Sequence, residues 1–130
     1  QRPEMAIASF AGKIIRGEEI SLFGDGSSSR DYTYIDDIID GLISSLDKTC
    51  GFEIFNLGES TPITLLALVE LLEKKLGKKA KIKYMPAQPG DVERTFADVS
   101  KSKKILGYNP STSIDEGIEK YCNWLKKNDR

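Results

Sequence analysis

Apolar residues recur along this chain at two spacings, and the switching between them predicts helices interleaved with short strands. Met5, Ala8, Phe10, Ala11, Ile14 and Ile15 follow Pro3 at helical intervals, and Gly17 stands as a stop. Ile20-Ser21-Leu22-Phe23 alternates between Gly17 and Gly24, which predicts a strand. Gly24-Asp25-Gly26 supplies turn chemistry, and Arg30 to Tyr34 predicts a second extended piece. Ile35, Ile38, Ile39, Leu42, Ile43 and Leu46 then predict a helix that buries one apolar stripe. Asp36, Asp37 and Asp40 crowd its first half, where carboxylates meet the favourable end of the helix dipole. Asp37 reads as a cap or a solvated residue, with a side chain turned into a site as the alternative. Gly41 costs helix propensity and predicts close packing against another element.

Phe52 to Leu57 predicts a buried or half-buried strand ended by Gly58. Thr64 is placed to cap a helix running through Leu76, with Leu65, Leu68, Val69, Leu72 and Leu76 as its apolar face and Gly77 as its end. Ile82 to Met85 predicts another strand, followed by the turn Gln88-Pro89-Gly90-Asp91-Val92. A short helix through Ile105 and Leu106 precedes the breaker Gly107-Tyr108-Asn109-Pro110. Ser113 and Glu116 have capping-box spacing and open a last helix carrying Ile114, Ile118, Tyr121, Cys122 and Leu125. The expected fold class is α/β in the mixed α+β sense.

Composition narrows the partners. The chain has 130 residues, 39% hydrophobic and 30% charged, enough for one domain with its own core. Nineteen basic against twenty acidic residues leave a net charge of -1, so no nucleic-acid groove is expected. A local phosphate site stays open, because a few placed residues make one inside a neutral protein. No apolar run approaches the roughly 18 residues of a membrane span, so no membrane partner is expected. Cys50 and Cys122, with no histidine beside them, point away from zinc and from a disulfide, and toward a reducing, cytoplasmic compartment. The start at Gln1-Arg2-Pro3 leads us to expect a fragment.

Arg30 is the leading candidate for chemistry. Its guanidinium can give phosphate two parallel hydrogen bonds, or it can pin the junction by pairing with Asp31, Asp36 or Asp37. Arg2 and Arg94 are secondary positive candidates beside rigid turns. Asp91 can take hydrogen bonds from ribose hydroxyls, orient Arg30, or bond its own backbone. Phe23 can cover a nucleobase or pack inward. No catalytic or metal-binding residue is expected: histidine is absent, and no tyrosine sits in a Y-x-x-x-K context. Neither G-x-G-x-x-G nor G-x-x-x-x-G-K-[ST] occurs, so the chain itself is expected to bind no NAD.

Five ordered segments carry a resemblance: Gln1-Arg2-Pro3-Glu4-Met5-Ala6, Phe23 to Asp37, Phe55-Asn56-Leu57-Gly58, Gln88-Pro89-Gly90-Asp91-Val92 and Ala97-Asp98-Val99-Ser100-Lys101. Together they resemble the C-terminal part of NAD-dependent epimerase/dehydratases, the extended short-chain dehydrogenase/reductases that act on nucleotide sugars. The glucuronate-type 4-epimerases look most similar, with glucose-type epimerases and related dehydratases or decarboxylases beside them. The resemblance implies a Rossmann domain before Gln1 that holds NAD and the catalytic tyrosine and lysine. It makes residues 1–130 the UDP-sugar-binding portion, with residues 35–58 packing against that Rossmann domain and a homodimer as a possible assembly. It also implies uracil against Ser21, Leu22 and Phe23, diphosphate on Arg30, and Asp91 near the ribose and the arginine. Arg2 would face phosphate or a sugar carboxylate. Gln88 stands where glucose-type relatives carry a second phosphate-binding arginine, which favours the glucuronate type. The implied reaction is C4 epimerisation through transient oxidation, with the separated fragment inactive. Separation would expose the apolar faces of Ile35–Leu46 and of Phe52 to Leu57, so the fragment is expected to self-associate.

Overall fold

The structure, a computed structural model, describes residues 5–48 and 51–128. The first helix, α1 (Ala6–Arg16), buries Phe10, Ala11 and Ile14, and Gly17 ends it at φ +69°, its N–H returning to the Ile14 carbonyl and the N–H of Glu18 to the Lys13 carbonyl. A left-handed residue of this kind closes a helix without the Cβ penalty. Strand β1 (Glu19–Phe23) follows, turning Ile20 and Leu22 inward and Glu19 and Phe23 outward, the two-residue period of a half-buried strand.

Strand β2 is only Ser29–Arg30, and α2 spans Ile35–Leu46. A second two-residue strand, β3 (Ile63–Thr64), pairs antiparallel with β2 and leads directly into α3 (Leu65–Leu76). Thr64 caps α3 as its position predicts, its hydroxyl accepting from the Ala67 N–H at 3.2 Å. Strand β4 (Lys81–Met85) pairs parallel with β1, setting Ile20 beside Ile82 and Leu22 beside Tyr84. Helices α4 (Ser100–Leu106) and α5 (Ile114–Asn128) complete the chain, and Ser113 accepts from the Glu116 N–H at the start of α5.

The main core lies among α1, β1, α3 and α5. Ile14, Ile20, Leu22, Leu68, Leu72 and Ile118 have essentially no exposure, and Cys122 sits with them. A smaller cluster gathers Val99, Leu106 and Tyr108, with Phe55, Leu57 and Ala97 packed on it.

Two sequence expectations fail in this second region. Phe52 to Leu57 is irregular backbone, with Phe52 and Ile54 exposed. No strand neighbours it among the described residues, and side chains take its polar groups instead. Ser102 Oγ donates to the Asn56 carbonyl, Lys101 Nζ to the Ile54 carbonyl, and Asn56 Nδ2 to the Asp98 carbonyl.

Helix α2 carries the second correction, at Asp37, whereas the exposure of its apolar stripe is as expected for this chain standing apart from a partner domain. Its inward face is polar and small: Asp37 is 4% exposed and Gly41 is buried, while Ile35, Ile39, Leu42, Ile43 and Leu46 face outward. Asp37 and Gly41 lie one helical turn apart and so share a face. Asp37 neither caps its helix nor meets solvent; its two oxygens accept from the N–H groups of Ser111 (2.9 Å) and Thr112 (3.1 Å). Gly41 meets its expectation, since a Cβ there would stand 2.7 Å from Leu57 Cδ2.

Candidate functional site

The parallel strands β1 and β4 end side by side, and their carboxyl ends release the two loops that build the site, 24–28 and 86–94. Crevices beyond the carboxyl ends of parallel strands are common ligand sites, because loops from neighbouring strands converge there. The loops begin joined: the Gly24 N–H donates to the Met85 carbonyl at 2.9 Å.

The hydroxyl-rich turn is tied down rather than open. Asp25 Oδ1 accepts from both the N–H (2.9 Å) and the Oγ (2.5 Å) of Ser27, which closes a local turn. Those bonds hold the Asp25 carboxyl below its usual pKa range. The carbonyls of Gly26 and Ser28 accept from Leu66 N–H and Leu65 N–H at the start of α3. Gly26 has φ +80°, and a Cβ there would lie 2.6 Å from Leu66 Cγ, so only glycine fits.

Beyond the turn, β2 delivers Arg30. Its Nη2 lies 2.7 Å from Asp91 Oδ1, and its Nη1 donates to the Ser29 carbonyl at 2.9 Å. The arginine side chain is 27% exposed and the aspartate 45%, so the pair is screened by water and its attraction is modest. Arg30 pairs with none of the three neighbouring aspartates that the sequence offered. The partner comes from the other loop, which is strapped to β2 by Ser29 N–H to the Glu93 carbonyl (2.8 Å) and Thr95 N–H to the Ser29 carbonyl (3.2 Å). Because the guanidinium is a fixed, pH-independent fork, its remaining N–H groups can receive an anion.

The other candidates fall around this pair. Gln88 is exposed, and its carbonyl accepts from the Asp91 N–H at 3.2 Å, closing the turn that presents Asp91. Phe23 is partly exposed at the end of β1 beside Met85, Ser21 is half-buried, and the Leu22 side chain is inside the core. Leu22 can therefore offer a ligand only its backbone. Arg94 stacks its guanidinium over the Phe96 ring, 4.7 Å from the centroid. Arg2 and Cys50 lie outside the described residues.

Asp31, the residue after Arg30, holds more of the site than the sequence suggested. Its Oδ2 accepts from Ser60 N–H and Ala97 N–H, both at 3.0 Å, and its Oδ1 from Thr61 N–H at 3.4 Å. A polar groove of about 430 Å³ opens alongside, lined in part by Asp31, Thr33, Asn56, Gly58, Thr95 and Phe96. Nearby, Glu59 keeps one carboxylate oxygen buried with no partner among the described residues. Burial, then the charges of Asp37 and Asp31, push its pKa up. The described residues hold no cluster that would bind a metal, and no helix is long and apolar enough to cross a membrane. They do not form a dinucleotide unit either, since β1 passes through its glycine turn into β2 rather than into a helix.

Comparison with known proteins carries the geometry to a family. Residues 1–121 match the family model described as GDP-mannose 4,6 dehydratase. An uncharacterised protein of Methanocaldococcus jannaschii is 50% identical over 127 residues, covering 98% of this chain and 39% of its own length. A UDP-glucuronate 4-epimerase of Thermodesulfobacterium geofontis is 47% identical over 128 residues, again 98% of this chain and 39% of that protein. Among solved structures, the UDP-glucuronic acid 4-epimerase of Bacillus cereus in complex with UDP-glucuronic acid and NAD superposes with a TM-score of 0.90 at 33% identity, covering 98% of this chain and 41% of that one. The chain thus spans about two-fifths of the length of these relatives. It belongs to the GDP-mannose 4,6 dehydratase group of the NAD-dependent epimerase/dehydratase family, and corresponds to the C-terminal part of its members.

Proposed function

We propose that this chain is the UDP-sugar-holding portion of a nucleotide-sugar 4-epimerase, with UDP-glucuronate as substrate and UDP-galacturonate as product. The observation that carries the reading is the Arg30–Asp91 pair at 2.7 Å, held at the carboxyl ends of β1 and β4. Arg30 binds the diphosphate through its remaining N–H groups. Asp91 orients that arginine and leaves its second oxygen to the ribose. Phe23 and the backbone of Ser21 and Leu22 receive the uracil. Arg2 contributes positive charge toward the phosphates or the sugar carboxylate.

NAD, held by the rest of the whole protein, supplies the hydride acceptor for oxidation at C4. This chain anchors the nucleotide, so binding energy far from the reacting carbon keeps the sugar in place while it turns. Residues 35–58 form the face that packs against the Rossmann domain, in keeping with the outward apolar side chains of α2 and with exposed Phe52 and Ile54. Gln88 supports glucuronate over glucose through the family resemblance, in which Gln-Pro-Gly-Asp belongs to the glucuronate type and a second arginine to the glucose type. Glutamine donates hydrogen bonds without neutralising charge, so Arg2 or a residue outside this chain supplies the further positive charge.

The test is product analysis with the whole protein and UDP-glucuronate. UDP-galacturonate formed without net NAD consumption is expected. Loss of water from the sugar would instead support the second reading, a dehydratase, which the description of the matching family model favours. Arg30→Ala is expected to cost about 2–5 kcal/mol in UDP-sugar affinity, the range for removing one partner of a hydrogen-bonded charge pair. Calorimetry giving equal affinities for the two proteins would refute the assignment of Arg30.

A further inference from the structure

We infer that Asp31 is a positioning residue for diphosphate binding, acting through the loop that carries Asp91; the inference rests on the function proposed above. One carboxylate gathers backbone donors from two distant segments: Ser60 and Thr61 on one side, Ala97 on the other. The same junction is closed by Ser60 Oγ donating to the Ala97 carbonyl at 2.5 Å. Ser60 adopts φ +58° there, the one non-glycine residue with positive φ among the described residues. Such backbone persists where its surroundings over-determine it. Gly58 shows how tight the junction is, since a Cβ would stand 2.9 Å from Asp31 Oδ2 and 2.6 Å from Ala97 Cβ.

The consequence for Arg30 follows from where the 91–97 segment is fastened. It meets β2 through Asp91 on Arg30, then through the two backbone bonds with Ser29, then through Ala97 on Asp31. Asp91 is mostly a loop residue with an exposed side chain, and its own turn contributes a single weak bond to Gln88. The carboxylate of Asp31 therefore fixes the far end of the strap that presents Asp91, and through Asp91 the direction of the Arg30 fork. Asp31 itself touches no phosphate in this scheme. Removing it loosens the presentation of Asp91 and leaves the uracil-facing end of β1, which is paired to β4, as it was.

The experiment uses calorimetry of the whole protein with two probes, UDP and uridine. Asp31→Asn is expected to weaken UDP binding about tenfold or more, as expected when charged hydrogen bonds are lost, while uridine affinity stays within twofold. In an Arg30→Ala background, Asp31→Asn is expected to cost UDP nothing further, because residues acting through one another are not additive. Ser60→Ala, which removes the hydroxyl bond across the same junction, is the milder variant and gives a smaller loss confined to UDP; it serves if Asp31→Asn fails to fold. Equal losses for UDP and uridine, additive losses with Arg30→Ala, or unchanged UDP affinity would each overturn the inference while leaving the nucleotide-binding reading intact. Wild-type protein that binds no UDP overturns both.

Discussion

The two hydrophobic clusters are built by opposite means. Around α1, β1, α3 and α5, apolar side chains face one another and finish the job: Ile14, Ile20, Leu68 and Leu72 are wholly enclosed. Around α2, α4 and the 51–61 segment, apolar side chains are plentiful but many face outward, Leu46 at 79% exposure and Phe52 at 87%. There the chain is held by carboxylates and hydroxyls that reach backbone groups, Asp31 and Asp37 foremost. The first region is a self-sufficient core. The second keeps its shape by polar ties and leaves a broad apolar face over. The candidate site sits on the seam, with Arg30 on β2 and its strap running from one region to the other.

The largest expected effect breaks the first region alone. Leu68→Ala is expected to destabilise the chain by about 2–5 kcal/mol, since it removes a fully enclosed side chain from among α1, α3 and α5. Chemical denaturation gives the value, and a cost below about 1 kcal/mol would mean that this core is less complete than described. A smaller loss is expected from Asp37→Ala, about 1–3 kcal/mol at neutral pH, because two loop N–H groups lose their acceptor.

That second loss depends on pH in a defined direction. Burial raises the Asp37 pKa, but the donors of Ser111 and Thr112 together outweigh it and set the folded value below the ordinary one. A depressed carboxylate pKa gives stability that is present above the unfolded pKa and fades as pH falls through the folded one. The gap between wild type and Asp37→Ala should therefore be widest near neutrality and close below about pH 4. A gap that widens toward acid would contradict the role given to those N–H groups.

The same contrast explains what could be read in advance. Gly17, Gly77 and Gly107 end their helices at positive φ, and Thr64 caps α3; each depends on residues within a turn or so, and each was legible. The partners of Arg30 and Asp37 lie 61 and 74 residues away, where a local pattern offers several acceptors and no means of choosing. The α2 stripe was legible as a stripe, while its outward direction depends on where Gly41 meets Leu57 and Tyr108. Phe52 to Leu57 has the composition of a strand but no neighbour among the described residues to pair with. Asp91 orienting Arg30 is one of several alternatives the residues offer, and the family resemblance singles the two out together; Asp31 offers itself only as a partner for Arg30, because nothing in its spacing announces three backbone donors.

A gain rather than a loss is expected at Glu59, on the polar side of the comparison. Its carboxyl is pushed up by burial and then by the charges of Asp37 and Asp31, so the folded state holds the proton more tightly than the unfolded chain does. A raised carboxyl pKa costs stability above the folded value, and the cost disappears as pH falls below the unfolded one. Glu59→Gln should thus raise the melting temperature slightly at neutral pH, by less than about 1 kcal/mol in stability, and match wild type below about pH 4. Thermal scans across pH decide it, and a destabilised variant at neutral pH would mean that the charged carboxylate has a partner it needs.

The smallest effect on folding and the clearest on behaviour is expected on the apolar face. Leu42 and Leu46 are 53% and 79% exposed, one helical turn apart on α2. Replacing both with glutamine, a good helix former, should change the stability of the 130-residue chain by no more than about 0.5 kcal/mol per site. An apolar surface of this extent, including Ile35, Ile39, Ile43 and Phe52, favours association when nothing covers it. The unmodified chain should therefore grow in scattering mass with concentration, and the double variant should do so less. Were the double variant to lose well over 1 kcal/mol in denaturation while scattering like wild type, the face would be buried within the folded chain, and the proposed packing of residues 35–58 against a second domain would have no surface to use.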